Sequence, residues 1–311
     1  VSKYIITADW HLRSQRPRCR LDEDWIETQR TALTWIATYA GQYEADVIVI
    51  GDIFHSTNET TNEVIGLVQE LALILEENDL KLFVLAGNHD LPQHNLDNIH
   101  RSAFQILLNS KNIYHVNQLP VFENELANTN FFNSISAVNF GADDEKFAKV
   151  IFKHILCFPE NAKLPPSDKI VKPSELFETF NNAKYIFTGD YHKQFIYESK
   201  KKKIQMLLNP GCLIRQAADT IDYEPSVFLV DFGHEDLNIQ SCPIPDDEKM
   251  VTDEYIENEV MRNSRIEAFI ERIKENEQVT FDFIDNVHNM MKNNKIENNV
   301  KDIILELMEQ T

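Results

Sequence analysis

Leu82-Phe83-Val84-Leu85-Ala86 runs directly into Gly87-Asn88-His89-Asp90, and the reading of this stretch decides the fold. A short apolar run closed by glycine reads as a buried strand that delivers its last residues to a loop at the sheet edge. In open α/β folds such loops carry the functional groups. An amide oxygen, an imidazole and a carboxylate in consecutive positions form a donor set suited to divalent cations of intermediate hardness. Taken alone, Asn-His-Asp is more often a turn, because Asn and Asp are common turn formers.

The same device recurs along the chain, and recurrence changes the reading. Residues 3 to 9 form an apolar run ending on Asp9, with His11 two positions later. Ala45 to Asp52 closes on Gly51-Asp52, with His55 beyond it. Val150-Ile151-Phe152-Lys153 delivers His154, and Tyr185-Ile186-Phe187-Thr188-Gly189 delivers Asp190 and His192. Between these runs, Asp22 to Tyr43 and Asn62 to Glu77 carry apolar residues at helical spacing, with Asp22 as the expected N-cap of the first. Helices are also expected over 96–108 and 173–180. Strands separated by helices imply a parallel sheet whose C-terminal edge gathers the polar residues on one rim. Residues 126–140 are expected to add strands of a second sheet, and 195–198 with 204–208 a hairpin tipped by Lys200 to Lys203.

Composition bounds the rest. The 311 residues allow one large α/β domain with an appendage. With 30 basic against 50 acidic residues, net −20, a generally basic nucleic-acid coat is excluded, so any polyanion must be met by a local patch, a metal centre or a partner. Four dispersed cysteines without a Cys-x-x-Cys pair fit a reducing compartment. Neither a membrane span nor a signal pattern is visible, so the expectation is a soluble cytoplasmic chain, bacterial or of a phage-infected host, with no membrane partner. The last glycine is Gly233 and the last proline Pro245; beyond them the sequence turns helical, which sets expected domains of 1–245 and 246–311. From 251 on there are 14 acidic and 7 basic residues, a poor surface for DNA.

Asp9, His11, Asp52, Asn88, His154, Asp190 and His192 offer seven N/O donors and no thiolate. That set suits two octahedral-tending cations such as Mn²⁺, with Mg²⁺, Zn²⁺ or Fe²⁺ as competitors. Two ions so close require a bridging carboxylate, for which Asp52 is the choice. Arg13, Arg16, Arg18 and Arg20 follow the first ligands and are candidates to touch phosphate. His94, His100, His115, His234 and His288 lack the strand-end context and read as surface or packing residues.

The ordered blocks Asp9-x-His11, Gly51-Asp52-x-x-His55, Gly87-Asn88-His89-Asp90, His154, Gly189-Asp190-x-His192 and Asn209-Pro210-Gly211 resemble the signature of the calcineurin-like metallophosphoesterases. Gly51 to Ser56 and Asn209 to Arg215 are most similar to SbcD-type nuclease subunits of double-strand-break repair complexes, and the compactness fits a phage-encoded form. The resemblance implies a two-sheet β-sandwich flanked by helices, with a small C-terminal helical region that serves as a reduced cap or partner site. It also implies that Asp9, His11 and His192 hold one metal, Asn88, His154 and Asp190 a second, and that Asp52 is shared. His89 would protonate the leaving sugar oxygen, and His55 would orient the phosphate or assist that step. Arg13, Arg16 and Arg215 are the expected substrate contacts. The implied activity is a Mn²⁺-dependent DNA exonuclease and endonuclease of recombination or repair, dimeric and coupled to an SMC-like ATPase. Alternatives are a phosphomonoesterase, a cyclic-nucleotide phosphodiesterase, or a catalytically silent scaffold. Three positions depart from the pattern: Asp190 where histidine is usual, Cys212 where serine is usual, and Arg13 where glycine is usual.

Overall fold

A computed structural model describes residues 3–58, 60–119, 124–126, 135–139, 149–164, 170–181, 183–199, 205–232, 237–245 and 250–256, with scattered positions from 261 to 304. The chain divides into two compact units, Val1–Asp253 and Glu254–Thr311.

In the first unit the order begins β1 (Lys3–Thr7), α1 (Trp25–Tyr43), β2 (Asp46–Ile50), α2 (Asn62–Glu77), β3 (Leu82–Leu85), α3 (Ala103–Leu108) and β4 (Ile113–His115). It continues with β5 (Asn124–Leu126), β6 (Ile135–Asn139), β7 (Lys149–His154), α4 (Pro173–Thr179), β8 (Ala183–Gly189), β9 (Phe195–Glu198), β10 (Met206–Asn209), β11 (Ser226–Asp231) and β12 (Asn238–Pro243). Among the described residues these strands make two six-stranded sheets, ordered β12-β11-β1-β2-β3-β4 and β5-β6-β7-β8-β10-β9. β1 to β4 run parallel, as do β7, β8 and β10. All their C-terminal ends deliver loops, which is what a ligand rim requires.

Strand alternation explains the layering. Tyr4, Ile6, Ile48, Ile50, Phe83 and Leu85 point one way, onto Val150, Phe152, Tyr185, Phe187 and Leu208 of the second sheet. Ile5, Val47, Val49, Leu82 and Val84 point the other way, onto Ile36, Val68, Leu71, Leu75 and Phe104 of the helices. Ile151, Ile186 and Leu207 cover the far face of the second sheet against Leu176 and Phe177 of α4. The result is a helix, sheet, sheet, helix stack in which the central strands are buried on both faces and therefore read as continuous apolar runs. Fully burying each such side chain is worth about 1.5–3 kcal/mol, so the sandwich gives the loops a rigid base.

Two local expectations are corrected. The N-cap of α1 is Asp24, whose carboxylate accepts from the Glu27 amide at 3.0 Å, because Asp22 is engaged by Arg20. The helix expected over 96–108 is broken: a 3₁₀ segment, Leu96–Arg101, ends at Ser102, which is extended and caps α3 through its hydroxyl. Serine as a cap competes with serine inside a helix, and here the cap wins. Residues 250–252 remain with the first unit, since Leu21 and Thr252 amides donate to Met250 and Cys19 carbonyls at 2.9 and 2.8 Å. The composition shift after Pro245 precedes that pairing and does not reveal it.

The lysine run 200–203 and most of residues 254–311 lie outside the described residues. Among the described residues no helix is long and apolar enough to cross a membrane.

Candidate metal and phosphate site

The loops after β1 and β2 stay zipped together beyond the strands. Asp9 donates its amide to Gly51, His11 to Asp52, and Leu12 to Ile53, at 3.1, 2.9 and 2.8 Å. This extended ladder holds Asp9, His11 and Asp52 with positive φ of 50, 45 and 49°, a strained backbone for residues with a side chain. Asp190, immediately after β8, has φ 85°. Two glycines make the close approach feasible. A Cβ on Gly87 would collide with the Asp52 carboxylate and amide, and one on Gly51 with the His154 ring.

The loops bring all seven predicted ligands together through a chain of short contacts. Asp52 Oδ2 lies 3.7 Å from His11 Nε2 and 3.4 Å from His154 Nε2, and so faces both groups. His11 Nε2 faces His192 Nε2 at 3.1 Å. His154 lies 3.9 Å from both Asp9 Oδ1 and Asp190 Oδ1. The Asn88 amide oxygen is 2.9 Å from His154 Nε2, and the Asn88 amide group stands 3.0 and 3.2 Å from the Asp52 oxygens when its NH₂ is turned inward. With the oxygen inward, acceptor faces acceptor, an arrangement that either an intervening cation or the inward-turned NH₂ reconciles.

A second tier of bonds fixes these groups. The Asp190 amide donates to both Asp9 oxygens at 2.9 Å, and the His89 amide to Asp52 Oδ1 at 2.8 Å. His154 donates Nδ1–H to the Ile50 carbonyl at 3.0 Å, which aims Nε2 at the carboxylates. Asp90, fully buried, accepts from the Gly87, Phe54 and Ile53 amides and joins the β2 and β3 loops. Asn209 donates to the Tyr191 and Lys193 carbonyls at 2.6 and 3.0 Å, ordering the loop that carries His192. Sequence reasoning places Asp90 and Asn209 within motifs but assigns them no role; their turn context conceals what they bond.

Electrostatics separates a floor from a rim. Burial pushes Asp9 well above the usual carboxylate range and also raises Asp190. Burial opposes the charge on Asp52 too, but the neighbouring His154 outweighs it and holds Asp52 low. Burial works against the His154 imidazolium, yet Asp52, Asp190 and Asp9 together raise it well above the ordinary histidine value. Burial likewise raises Asp90, to about 7. His154 thus sits among three carboxylic groups, the place a cation would take. Asp9, Asp52 and His154 each offer an atom within 4.8 Å of the others, and this donor set fits a divalent ion.

His11, His55 and His89 form a similar triangle nearer the surface, where His55 and His89 are half-buried. His11 is held well below its usual value by burial and by its histidine neighbours. Burial, the Arg13 guanidinium and His89 lower His55 to about 4. Arg13 Nη1 lies 2.8 Å from His55 Nε2, so a further cation here would meet a fixed positive charge. The triangle suits an anion better.

The arginine cluster divides. Arg13 reaches the rim, whereas Arg16 is exposed with Nη1 on the Asp22 carbonyl at 2.5 Å. Arg20 is buried, bidentate on Asp22 at 2.7 and 2.8 Å and over the Trp25 ring. Arg215 is 1% exposed and donates to the Ile221 carbonyl at 3.0 Å, so its guanidinium anchors its own loop. A cavity of about 490 Å³ beside Arg215 is lined by Tyr223, Pro225, Pro243 and Ile244 among others, and by none of the candidate ligands. His94, read from the sequence as a surface residue, is exposed, but it donates Nδ1–H to the Asn88 carbonyl at 2.6 Å and sets its ring 6.3 Å from His89. His100 is exposed, and His234 and His288 lie outside the described residues.

A two-sheet sandwich with carboxylates and imidazoles converging at its strand ends defines a phosphoester hydrolase architecture. Residues 2–194 match the family model described as calcineurin-like phosphoesterase, and the chain belongs to that family. It is 30% identical over 89 residues to the SbcD component of the SbcCD nuclease of Staphylococcus epidermidis, a match spanning 28% of this chain and 23% of that protein. Among solved structures it is similar to a dimetal phosphatase from Danio rerio, with 8% identity and TM-score 0.44, covering 78% of this chain and 96% of that one. A nuclease MPE from Pseudomonas putida is 12% identical with TM-score 0.29, covering 76% and 87%.

Proposed function

We propose that this phosphoesterase is a metal-dependent DNA phosphodiesterase of SbcD type, acting as exonuclease and endonuclease in recombination or repair. The observation that carries the reading is Asp52 Oδ2, which faces His11 on one side and His154 on the other. In this reading Asp9, His11 and His192 would hold one divalent ion and Asn88, His154 and Asp190 the other, with Asp52 shared. Mn²⁺ is the expected metal. Ions held there supply the positive charge that polarises a phosphoryl oxygen and acidifies the attacking water.

The chain's own groups do the rest. His89 donates Nδ1–H to the His55 carbonyl at 2.6 Å, which fixes the ring; in its imidazolium form the proton on Nε2 passes to the leaving sugar oxygen and the ring returns to the neutral Nδ1–H form. His55, kept neutral, bonds a non-bridging phosphate oxygen, and Arg13 adds positive charge beside it. Because the chain as a whole is acidic at net −20, DNA contact through a local patch such as this rim is favoured over a generally basic surface. The SbcD likeness supports an SMC-like ATPase partner, and a homodimer and a cytoplasmic location belong to the same reading.

The test is linear duplex DNA with Mn²⁺, wild type against His89→Ala, beside a chromogenic phosphodiester and a monoester. Cleavage of DNA by the wild type alone is expected. Hydrolysis of only the monoester would replace the nuclease reading with a phosphomonoesterase, and absence of metal uptake would leave a scaffold.

A further inference from the structure

Arg13 stands where the resemblance expects glycine, and the fold holds it firmly. The Arg13 amide donates to Gln29 Oε1 at 2.9 Å, and Gln29 Nε2 donates back to the Arg13 carbonyl at 2.9 Å. Gln29 is fully buried on α1 and also donates to the Trp25 carbonyl at 3.1 Å, so the clamp is part of the helix. Across from it, the β1 and β2 loops form a parallel bridge between Leu12 and Phe54, and the His55 amide donates to the Leu12 carbonyl at 3.1 Å. Arg13 and His55 are therefore neighbours by backbone pairing.

The side chains meet at 2.8 Å, Arg13 Nη1 to His55 Nε2. A guanidinium has donors only, so Nε2 of His55 must accept and the ring proton must sit on Nδ1. We propose that Arg13 is a positioning residue that locks His55 in the Nδ1–H tautomer, so that the site presents an oriented neutral donor to a phosphodiester oxygen. Arg13 thus acts through His55 as well as by its charge. Its role in turnover rests on the phosphodiesterase reading above; the tautomer does not.

The geometry has a consequence for the neighbouring ring. His89 also carries its proton on Nδ1, because a carbonyl can only accept, and its plane lies 20° from that of His55 at 5.8 Å. Two rings of like tautomer thus stand side by side and differ in what fixes them: a guanidinium at Nε2 of His55, a backbone carbonyl at Nδ1 of His89. His55, its Nε2 engaged by the guanidinium, serves as donor through Nδ1, while His89 keeps Nε2 for the proton it takes up and transfers.

The experiment compares wild type, Arg13→Met and Arg13→Lys. Metal-free protein with ¹⁵N-labelled histidine is examined by long-range proton–nitrogen spectra, with the His55 signals assigned by their loss in His55→Asn. The expected wild-type pattern is a protonated Nδ1 and a bare Nε2. Arg13→Met should move His55 toward the Nε2–H form, and Arg13→Lys, which keeps a donor, should restore the wild-type pattern. On a chromogenic phosphodiester with Mn²⁺, Arg13→Met should lower kcat by about tenfold, the loss expected for a misaimed donor, with KM changed much less. Unmoved signals from the other histidines show that the clamp on the backbone has kept the fold. An unchanged His55 spectrum in Arg13→Met, or an unchanged kcat, overturns the inference. A wild type inert toward phosphodiesters overturns the functional reading and the catalytic half of the inference, and the spectra still decide the tautomer.

Discussion

The floor and the rim of this site are built from adjacent residues of the same loops and are electrostatic opposites. Asp9, Asp52 and His154 are 0–4% exposed and gather carboxylates around one imidazole. His55, His89 and Arg13 are half-buried and gather imidazoles around one guanidinium. His11 joins them, with Nε2 toward Asp52 and its ring edge against His55 and His89. The difference teaches how a strongly acidic chain can handle a polyanion. The carboxylic groups lie where water is excluded and a cation would be held most strongly, and in the proposed reading the guanidinium and imidazole donors stand where phosphate would arrive.

The contrast breaks most severely if its shared vertex is removed. Asp52→Asn should lower phosphodiester turnover by at least about a thousandfold and reduce bound metal below two per chain, read by elemental analysis after gel filtration. Full metal content in that variant would mean that Asp52 is not common to both ion positions. Removing a rim group should separate turnover from metal content. His89→Ala is expected to cost about 10²–10⁴ in kcat while metal content stays at the wild-type level.

A third measurement sharpens the floor itself. Asp52, Asp190 and Asp9 raise His154 against the pull of burial, and a proton on Nε2 must leave before that nitrogen can ligate. Metal uptake should therefore release protons and tighten as pH rises. Titration calorimetry in buffers of different ionisation enthalpy reads this directly, and a buffer-independent heat would refute it.

The smallest effect lies outside both regions and serves as their control. Burial acts against the charge of Asp22, but Arg20 and the Thr28 hydroxyl hold it below the ordinary carboxylate value. A depressed folded value stabilises the fold above the unfolded one, about pH 4, and that contribution fades as pH falls through the folded value. Asp22→Asn should flatten the acid limb of a urea-midpoint profile and leave metal content and turnover unchanged.

The central parallel strands are legible in sequence because they are buried on both faces and lead into glycine or a polar candidate ligand, a pattern that survives in one dimension. β2 and β3 need nothing more than Val47 to Ile50 and Leu82 to Leu85 to be found. Arg20 and Arg215 are the opposite case. In sequence they are basic residues near ligand motifs, and only packing shows them turned inward onto Asp22 and the Ile221 carbonyl. His94 carries no signal in sequence because no strand precedes it, yet a 3₁₀ turn folds it back to the Asn88 carbonyl.

What the sequence by itself determined is the alternation of strand and helix, the donor types at the strand ends and the lack of a net basic character, because burial period and side-chain chemistry are local properties. Tertiary structure alone decided which arginine reaches the rim, which ring nitrogen of His55 carries the proton, and that Asp52 faces both His11 and His154. Those are relations across gaps of up to about two hundred residues, set by backbone pairing and close packing, and no local pattern encodes them.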